Sequence, residues 1–457
     1  MNRNIKVAAA VAAALASGTS MAQLAPTPAS AAAPAVGLYV AGSSAAKNAV
    51  LGSIEGTNVC GGTYSLFSST GNTNFFAVSC APLASTGLPS ANGSTIYTIW
   101  YRAEGGSVVG ALPLVSGSQI NQMSLASATG TNNGTIGNYT VAVAGSSATN
   151  GIDDSFTGGV FKAPVQMGIT DVEPGALIGD NYPTAYKTSA YGSATPTQLS
   201  GLTATTVFDQ VFGLFVNTNS ANFSAAEKAG QGTTTASLNL PMATLTNILQ
   251  GNIVNWNDAE DTTGALVTTA STPIAIVNRE QGSGSRTATS IFFTGDECVK
   301  GVTSIHESTH GTADFFSTGN VLAAANTNVG SITYASIDNA GNASFPNLTL
   351  VAVNGVTPSN LNAANGTYGD WFEATVVTGS NFSSLTADQQ GLITTLTSAF
   401  QAINTAPHAT DVLAIPLYNV AVYPPSGTAD TTGGGKTIYI NPFTRAGVSC
   451  NNPGSTI

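Results

Sequence analysis

Ile274-Ala-Ile-Val-Asn-Arg-Glu-Gln-Gly-Ser-Gly-Ser-Arg-Thr-Ala-Thr-Ser-Ile-Phe-Phe293 is the stretch on which the fold turns. It opens on an apolar run, Ile274 to Val277, that reads as a buried strand. Arg279 stands at the strand's end, Gly282-Ser-Gly-Ser285 follows, and Ile291 and Phe292 belong to a segment with helical character. Strand, Gly/Ser loop and helix start together suit an oxyanion. Glycines admit close backbone approach, the first helical N–H groups point at the ligand, and the helix dipole favours negative charge. Arg279 adds a planar, permanently charged fork that matches two oxygens of a tetrahedral anion. The competing reading is an ordinary surface loop, because the chain holds 50 glycines and Gly-Ser-Gly-Ser is a weak signal in such a background.

The 457 residues are enough for two or three domains with large cores. A net charge of −11 argues against nucleic acid or an anionic membrane as partner. Only 8% of residues are charged, so Ser, Thr, Asn and Gly must cover the surface, a composition that suits an exported protein. Arg3 and Lys6 precede an apolar run from Val7 to Ala16 that is too short to span a bilayer. Ser20-Met21-Ala22 is a small-x-small cleavage site, so residues 1–22 read as a signal peptide and Gln23 as the mature start. Neither a lipobox cysteine nor a later run of about 18 apolar residues marks an anchor. Cys60, Cys80, Cys298 and Cys450 suggest disulfides in an exported chain. Cys60 and Cys80 flank a hairpin-like segment and are expected to pair, leaving Cys298 with Cys450, although three connectivities remain open.

Residues 23–36 read as a disordered Pro/Ala linker. Leu38-Tyr-Val40 reads as a strand that enters Ala41-Gly-Ser-Ser-Ala-Ala46, with helical spacing through Val50, Leu51 and Ile54. Residues 57–95 and 115–150 are polar, Gly-rich insertions, the first with the character of a loop or hairpin. Between them Ile96–Tyr101 alternates like a strand and leads to Glu104-Gly-Gly-Ser107. Val165–Ile169 is a strand ending at Asp171, which either faces a cleft or caps a helix. Val207–Val216 is a long apolar strand, 218–238 a loop, and Pro241 opens a helix with Leu245, Ile248 and Leu249 on one face. Further strands are expected at Gly330–Tyr334 and Leu348–Val353, an aromatic turn at Gly366–Trp371 and a helix over Thr386–Ile403. No internal repeat is seen, and strands alternating with helices point to an α/β fold with largely parallel pairing.

In order along the chain, four segments carry a family likeness: Leu38-Tyr-Val-Ala-Gly-Ser-Ser44, Met167-Gly-Ile-Thr-Asp-Val-Glu-Pro174, Leu245–Asp258 and Arg279-Glu-Gln-Gly-Ser-Gly-Ser285. The chain resembles the phosphate-binding proteins of phosphate-specific ABC transporters, over most of residues 37–375. That resemblance implies a two-lobed type II periplasmic binding-protein fold with mostly parallel sheets and a ligand cleft between lobes. It implies lobe 1 at 37–205 and 350–457, with insertions and a C-terminal extension, and lobe 2 at 206–349. It also implies a site built from Ser43, Ser44, Ala45, Ser107, Asp171, Arg279, Ser283, Gly284 and Ser285. Asp171 would accept a hydrogen bond from the anion's own hydroxyl, which monohydrogen phosphate has and sulfate lacks. Gln281 stands where the family has an aspartate beside the arginine, Ser285 replaces a threonine, and Ala45 replaces a frequent aromatic.

Three other readings compete. His306-Glu-Ser-Thr-His310 fits the H-E-x-x-H zinc-peptidase pattern, but Gly311 follows at once and the downstream Gly-x-x-His continuation is missing. The polar insertions favour a surface or structural protein that reuses a binding fold. A phosphatase lacks a histidine near Ser44 or Ser283 in sequence, His408 being the third and last histidine. The expectation is therefore a periplasmic or secreted, monomeric binding protein, not an enzyme. It would take inorganic phosphate or a similar oxyanion, need no cofactor or metal, bind no nucleic acid and cross no membrane; an ABC permease is the partner that the resemblance implies, and the residues themselves leave it open.

Overall fold

The computed structural model describes residues 24–55, 59–145, 156–182, 191–296, 298–299, 302–306, 314–401, 412–413, 428–429, 437–438 and 443–455. The expected signal peptide, Glu307, His310 and His408 lie outside the described residues. The strands that build the frame are β1 (Val36–Gly42), β2 (Tyr64–Thr70), β3 (Phe75–Cys80), β4 (Tyr97–Arg102), β5 (Gln119–Met123), β6 (Thr129–Asn132), β7 (Ile136–Ala142), β8 (Val160–Pro164), β9 (Met167–Thr170), β10 (Thr203–Asn217), β11 (Ala236–Leu240), β12 (Ala275–Ile276), β13 (Ser331–Ser336), β14 (Leu348–Val353) and β15 (Trp371–Thr378). The helices that matter most are α1 (Lys47–Glu55), α2 (Ser107–Ser116), α3 (Met242–Leu249), α4 (Gly284–Thr294), α5 (Thr318–Thr327) and α6 (Ala387–Gln401).

The long apolar run at Val207–Val216 becomes the strand on which both lobes hang. It is buried without alternation, as a strand covered on both faces must be. Thr203–Val211 pairs antiparallel with β15, and the first sheet continues through β9, β1, β4, β3, β2, β7 and β6. From Phe212 onward the same strand pairs with β13 and β14 instead. There β11 joins β14 and β12 joins β13, both in parallel. β10 therefore passes from one sheet into the other near Val211 and Phe212. The result is a two-lobed, mixed α/β architecture in which β1 lies parallel to both β4 and β9. β14, which straddles the expected 349/350 boundary, pairs wholly within the second sheet.

Each lobe packs helices on its sheet. α6 presents Leu392, Ile393, Leu396 and Phe400 to a core that also holds Leu38, Val40 and Ile99. That spacing is one helical face, and each such buried side chain contributes about 1.5–3 kcal/mol of apolar transfer. α2 covers the opposite face with Val108, Val109 and Leu112. In the second lobe Leu245, Ile248 and Leu249 of α3 pack with Trp256 and Tyr334.

Several segments differ from the sequence reading. The Pro/Ala segment is ordered: Thr27 caps a short helix, Pro28–Ala32, whose Ala31 is buried beside Phe67, Trp100 and Tyr139. The insertions explain this, because β2, β3 and β7 extend the first sheet beyond β4 and offer an apolar face that the segment covers. The expected loop at 218–238 contains a capped turn of helix at Ala225–Lys228 and the start of β11. The aromatic turn at Gly366–Trp371 runs directly into β15, the central neighbour of β10.

Both disulfides form as expected, Cys60 with Cys80 and Cys298 with Cys450. The second ties the end of α4 to a C-terminal segment docked on the first sheet's edge of the crossing. There the Arg445 guanidinium lies 4.2 Å from the Phe372 ring centre and donates to the carbonyls of Trp371 and Gly369 at 3.1 Å. Glu373 accepts the N–H groups of Arg445 and Gly447, and Glu173 accepts that of Ser449. Among the described residues, no helix is long and apolar enough to cross a membrane.

Candidate functional site

Parallel strands expose their carboxyl ends along one edge, and in open α/β sheets ligands bind there. β1, β4 and β9 are such neighbours, so the turns after them meet. Gly42 ends β1 at φ +140°, and a Cβ there would sit 1.9 Å from the Ile169 carbonyl oxygen, so only glycine lets β1 lie this close to β9. Ser43 follows; its N–H donates to the same carbonyl at 2.9 Å, and its Oγ accepts the N–H of Ala46 at 2.9 Å as α1 begins. The Ser43 hydroxyl donates to Oδ1 of Asp171, which stands at the end of β9. After β4, Gly105 and Gly106 take positive φ values and place Ser107 in the first turn of α2. Its Oγ accepts the Asp171 N–H at 3.0 Å and donates to Asp171 Oδ2 at 3.3 Å. The first lobe thus contributes one buried carboxylate already held by two hydroxyls.

The second lobe contributes the cation. Arg279 leaves β12 and is 1% exposed. Its fork is fixed from below: Nε donates to the Phe315 carbonyl at 3.1 Å and Nη2 to that of Phe316 at 2.9 Å. Nη1 donates to Ser285 Oγ at 3.1 Å and to Thr318 Oγ1 at 3.2 Å. Arg286 holds the Arg279 carbonyl at 3.0 Å and forms an ion pair with Asp314. Gln281 supplies no carboxylate beside Arg279; two main-chain carbonyls orient the fork instead. Ser283 caps α4 by accepting the Arg286 N–H at 3.4 Å, and its Oγ lies 3.0 Å from that of Ser285.

The two halves touch. Gly284 has no room for a side chain, because a Cβ would lie 2.3 Å from Ser107 Oγ and 2.7 Å from Asp171 Oδ2. Across the same boundary the Val108 N–H donates to the Gly282 carbonyl at 3.0 Å, and the Gly105 N–H to that of Phe316 at 3.3 Å. The Ser285 N–H reaches Asp171. Burial pushes the Asp171 carboxyl up from its ordinary range, opposed by the Ser43 hydroxyl, the Arg279 charge, the Ser107 hydroxyl and the Ser285 N–H. Burial likewise lowers Arg279 to about 10, opposed by Tyr334 and Asp171. Arg279 stays charged at neutral pH. The arrangement is a buried nest of N–H and O–H groups around one cation and one carboxylate, with the first turns of α2, α4 and α5 converging on it.

Of the residues singled out from sequence, Ser43, Ser44, Ser107, Asp171, Arg279, Ser283, Gly284 and Ser285 fall within this nest, and Ala45 is buried next to Ser44 at the start of α1. Sequence reasoning missed Thr318. Of the zinc pattern, His306 is described: it is exposed in a non-helical segment, its N–H donating to the Leu249 carbonyl at 2.7 Å. Among the described residues no group of three or more His, Cys, Asp or Glu could hold a metal ion.

Residues 212–434, just under half of the chain, match the family model described as a PBP superfamily domain. The matched stretch carries Arg279, Ser283, Gly284, Ser285 and Thr318, whereas Ser43, Ser44, Ser107 and Asp171 precede it. No curated protein matches the chain. Among solved structures it is similar to an ABC-type phosphate transport receptor from Vibrio cholerae, at 14% identity and a TM-score of 0.38 over 79% of this chain and 93% of that one. It is also similar to a phosphate-binding protein from Stenotrophomonas maltophilia, at 12% identity and a TM-score of 0.37 over 81% and 83%.

Proposed function

We propose that this chain is an exported solute-binding protein that captures phosphate, or a similar tetrahedral oxyanion, between its lobes and presents it to an ABC permease. One observation carries the reading: a buried Arg279 and a buried Asp171, from different lobes, share a single cluster of hydroxyl and N–H groups. A cation ringed by donors suits an anion. A carboxylate in the same nest repels an anion unless that anion has a proton to give, which monohydrogen phosphate does and sulfate does not. In this role Ser43 and Ser107 orient Asp171, Arg279 supplies the charge, and Ser44, Ala45, Ser283, Gly284 and Ser285 supply hydroxyl and N–H contacts. The lobes hinge where β10 changes sheets and where the chain returns into β15. Catalysis has no part in this reading, and the protein works as a monomer.

The test is thermal melting of phosphate-stripped protein at constant ionic strength. Phosphate should raise Tm in a concentration-dependent way and sulfate should not, because only a ligand that binds the native state stabilises it. Equal shifts with both anions, or none with either, would remove the proposal.

A further inference from the structure

Thr318 lies outside the four segments that carry the family likeness, yet it joins the nest through Arg279 and Ser44. It opens α5 with Ser317 as the capping residue and is buried. Its Oγ1 accepts Arg279 Nη1–H at 3.2 Å and lies 3.0 Å from Ser44 Oγ, while its own N–H donates to Ser44 Oγ at 3.2 Å. Thr318 is therefore bonded to the cation of its own lobe and to the first turn of the opposite lobe. A hydroxyl has one proton and two lone pairs. With a lone pair taken by Arg279, the Thr318 proton points away from the cation and is polarised by it. In the structure that proton has Ser44 within reach; an oxyanion held by Arg279 would offer it a stronger acceptor. The Thr318 N–H, in the first turn of α5, contributes a helix-terminal donor beside it.

We propose that Thr318 is a further anion-contacting residue: it donates its hydroxyl proton to the bound oxyanion and, through Ser44, holds the lobes closed over it. This rests on the phosphate-binding reading and adds to it a contact that couples capture to closure. A contact that forms only when the lobes are shut should act chiefly on escape of the ligand. Removing it should speed dissociation and leave association nearly unchanged.

The experiment compares Thr318→Val, which keeps the shape and loses the hydroxyl, with Thr318→Ser, which keeps the hydroxyl. Inorganic phosphate is the probe, with affinity from calorimetry and rates from stopped-flow measurement. Thr318→Val should weaken phosphate binding about tenfold, almost entirely through a faster off-rate, as loss of one hydrogen bond to a charged partner implies. Thr318→Ser should bind within about threefold of the unsubstituted protein. The ligand-free melting temperatures report whether each variant folds; should Thr318→Val not fold, Thr318→Ala makes the same comparison. A valine variant that binds and releases phosphate like the unsubstituted protein overturns the inference and leaves phosphate binding standing. A serine variant as weak as the valine variant also overturns it, since the methyl group would then carry the effect. Absence of phosphate binding in the unsubstituted protein overturns this inference and the functional reading together.

Discussion

Replacing Asp171 by Asn changes one oxygen into a donor and leaves the side chain's shape. In the structure the carboxylate is 2% exposed and accepts from Ser43 and Ser107 hydroxyls and the Ser285 N–H. An asparagine can keep the bond from Ser43 through Oδ1 and turn N–H groups toward the anion. Monohydrogen phosphate then loses one bond between its hydroxyl and a charged acceptor, which is worth about 1.5–3 kcal/mol. That corresponds to roughly a tenfold to hundredfold loss of affinity. Sulfate moves the other way, because its oxygen no longer faces a buried carboxylate and meets an N–H instead. A gain of at least about tenfold for sulfate is expected on the same scale. The phosphate-to-sulfate ratio should thus fall by about a hundredfold or more.

The assay is competition between the two anions at fixed ionic strength and neutral pH. Folding is a built-in control. Burial raises the Asp171 carboxyl in the folded state, so the folded protein binds this proton more tightly than the unfolded chain does. Stability from this group is then lost as pH rises from the unfolded value through the folded one. The asparagine variant lacks that titration, so its melting temperature should vary less with pH than the parent's. An unchanged selectivity ratio in a variant that melts normally would refute the assignment of Asp171 as the group that reads the ligand's proton.

Two other perturbations follow from the same structure. Arg279→Ala should cost at least ~2 kcal/mol of phosphate binding by titration calorimetry, and Arg279→Lys should recover little, because one ammonium cannot reach the Phe315 and Phe316 carbonyls and the Ser285 and Thr318 hydroxyls together; unchanged affinity in the alanine variant would exclude Arg279 from the site. At the lobe crossing, burial pushes Asp370 up to about 7, with the Arg445 charge opposing. Its folded value lies above its unfolded one, so stability should decline as pH rises from about 4 to about 7. Asp370→Asn should flatten that decline in denaturant titrations across this window, whereas parallel pH profiles for the two proteins would contradict it.

Much of the frame can be read from the chain because its signals are local. Val36–Gly42, Met167–Thr170 and Gly284–Thr294 each announce themselves by an apolar run or a Gly/Ser turn next to a helix start. The disulfide pairing follows from a hairpin that brings Cys60 to Cys80, which leaves only one partner for Cys298. The unread parts depend on distant partners. β15 hides behind Gly366–Asp370, and only its pairing with Thr203–Val211 reveals it as a central strand. The Pro/Ala segment orders only because the insertions offer it Phe67, Trp100 and Tyr139. Thr318 sits in Phe316-Ser-Thr-Gly-Asn320, which resembles many polar stretches of this chain. Its place beside Ser44 and Arg279 is a tertiary fact with no local signature.

The central claim is tested most directly by isothermal titration calorimetry of phosphate-stripped protein with phosphate and then sulfate near neutral pH. The account predicts tight, one-site phosphate binding with sulfate rejected. Absence of heat with either anion would contradict it, and the nest around Arg279 and Asp171 would then be a closed polar core serving another ligand or none.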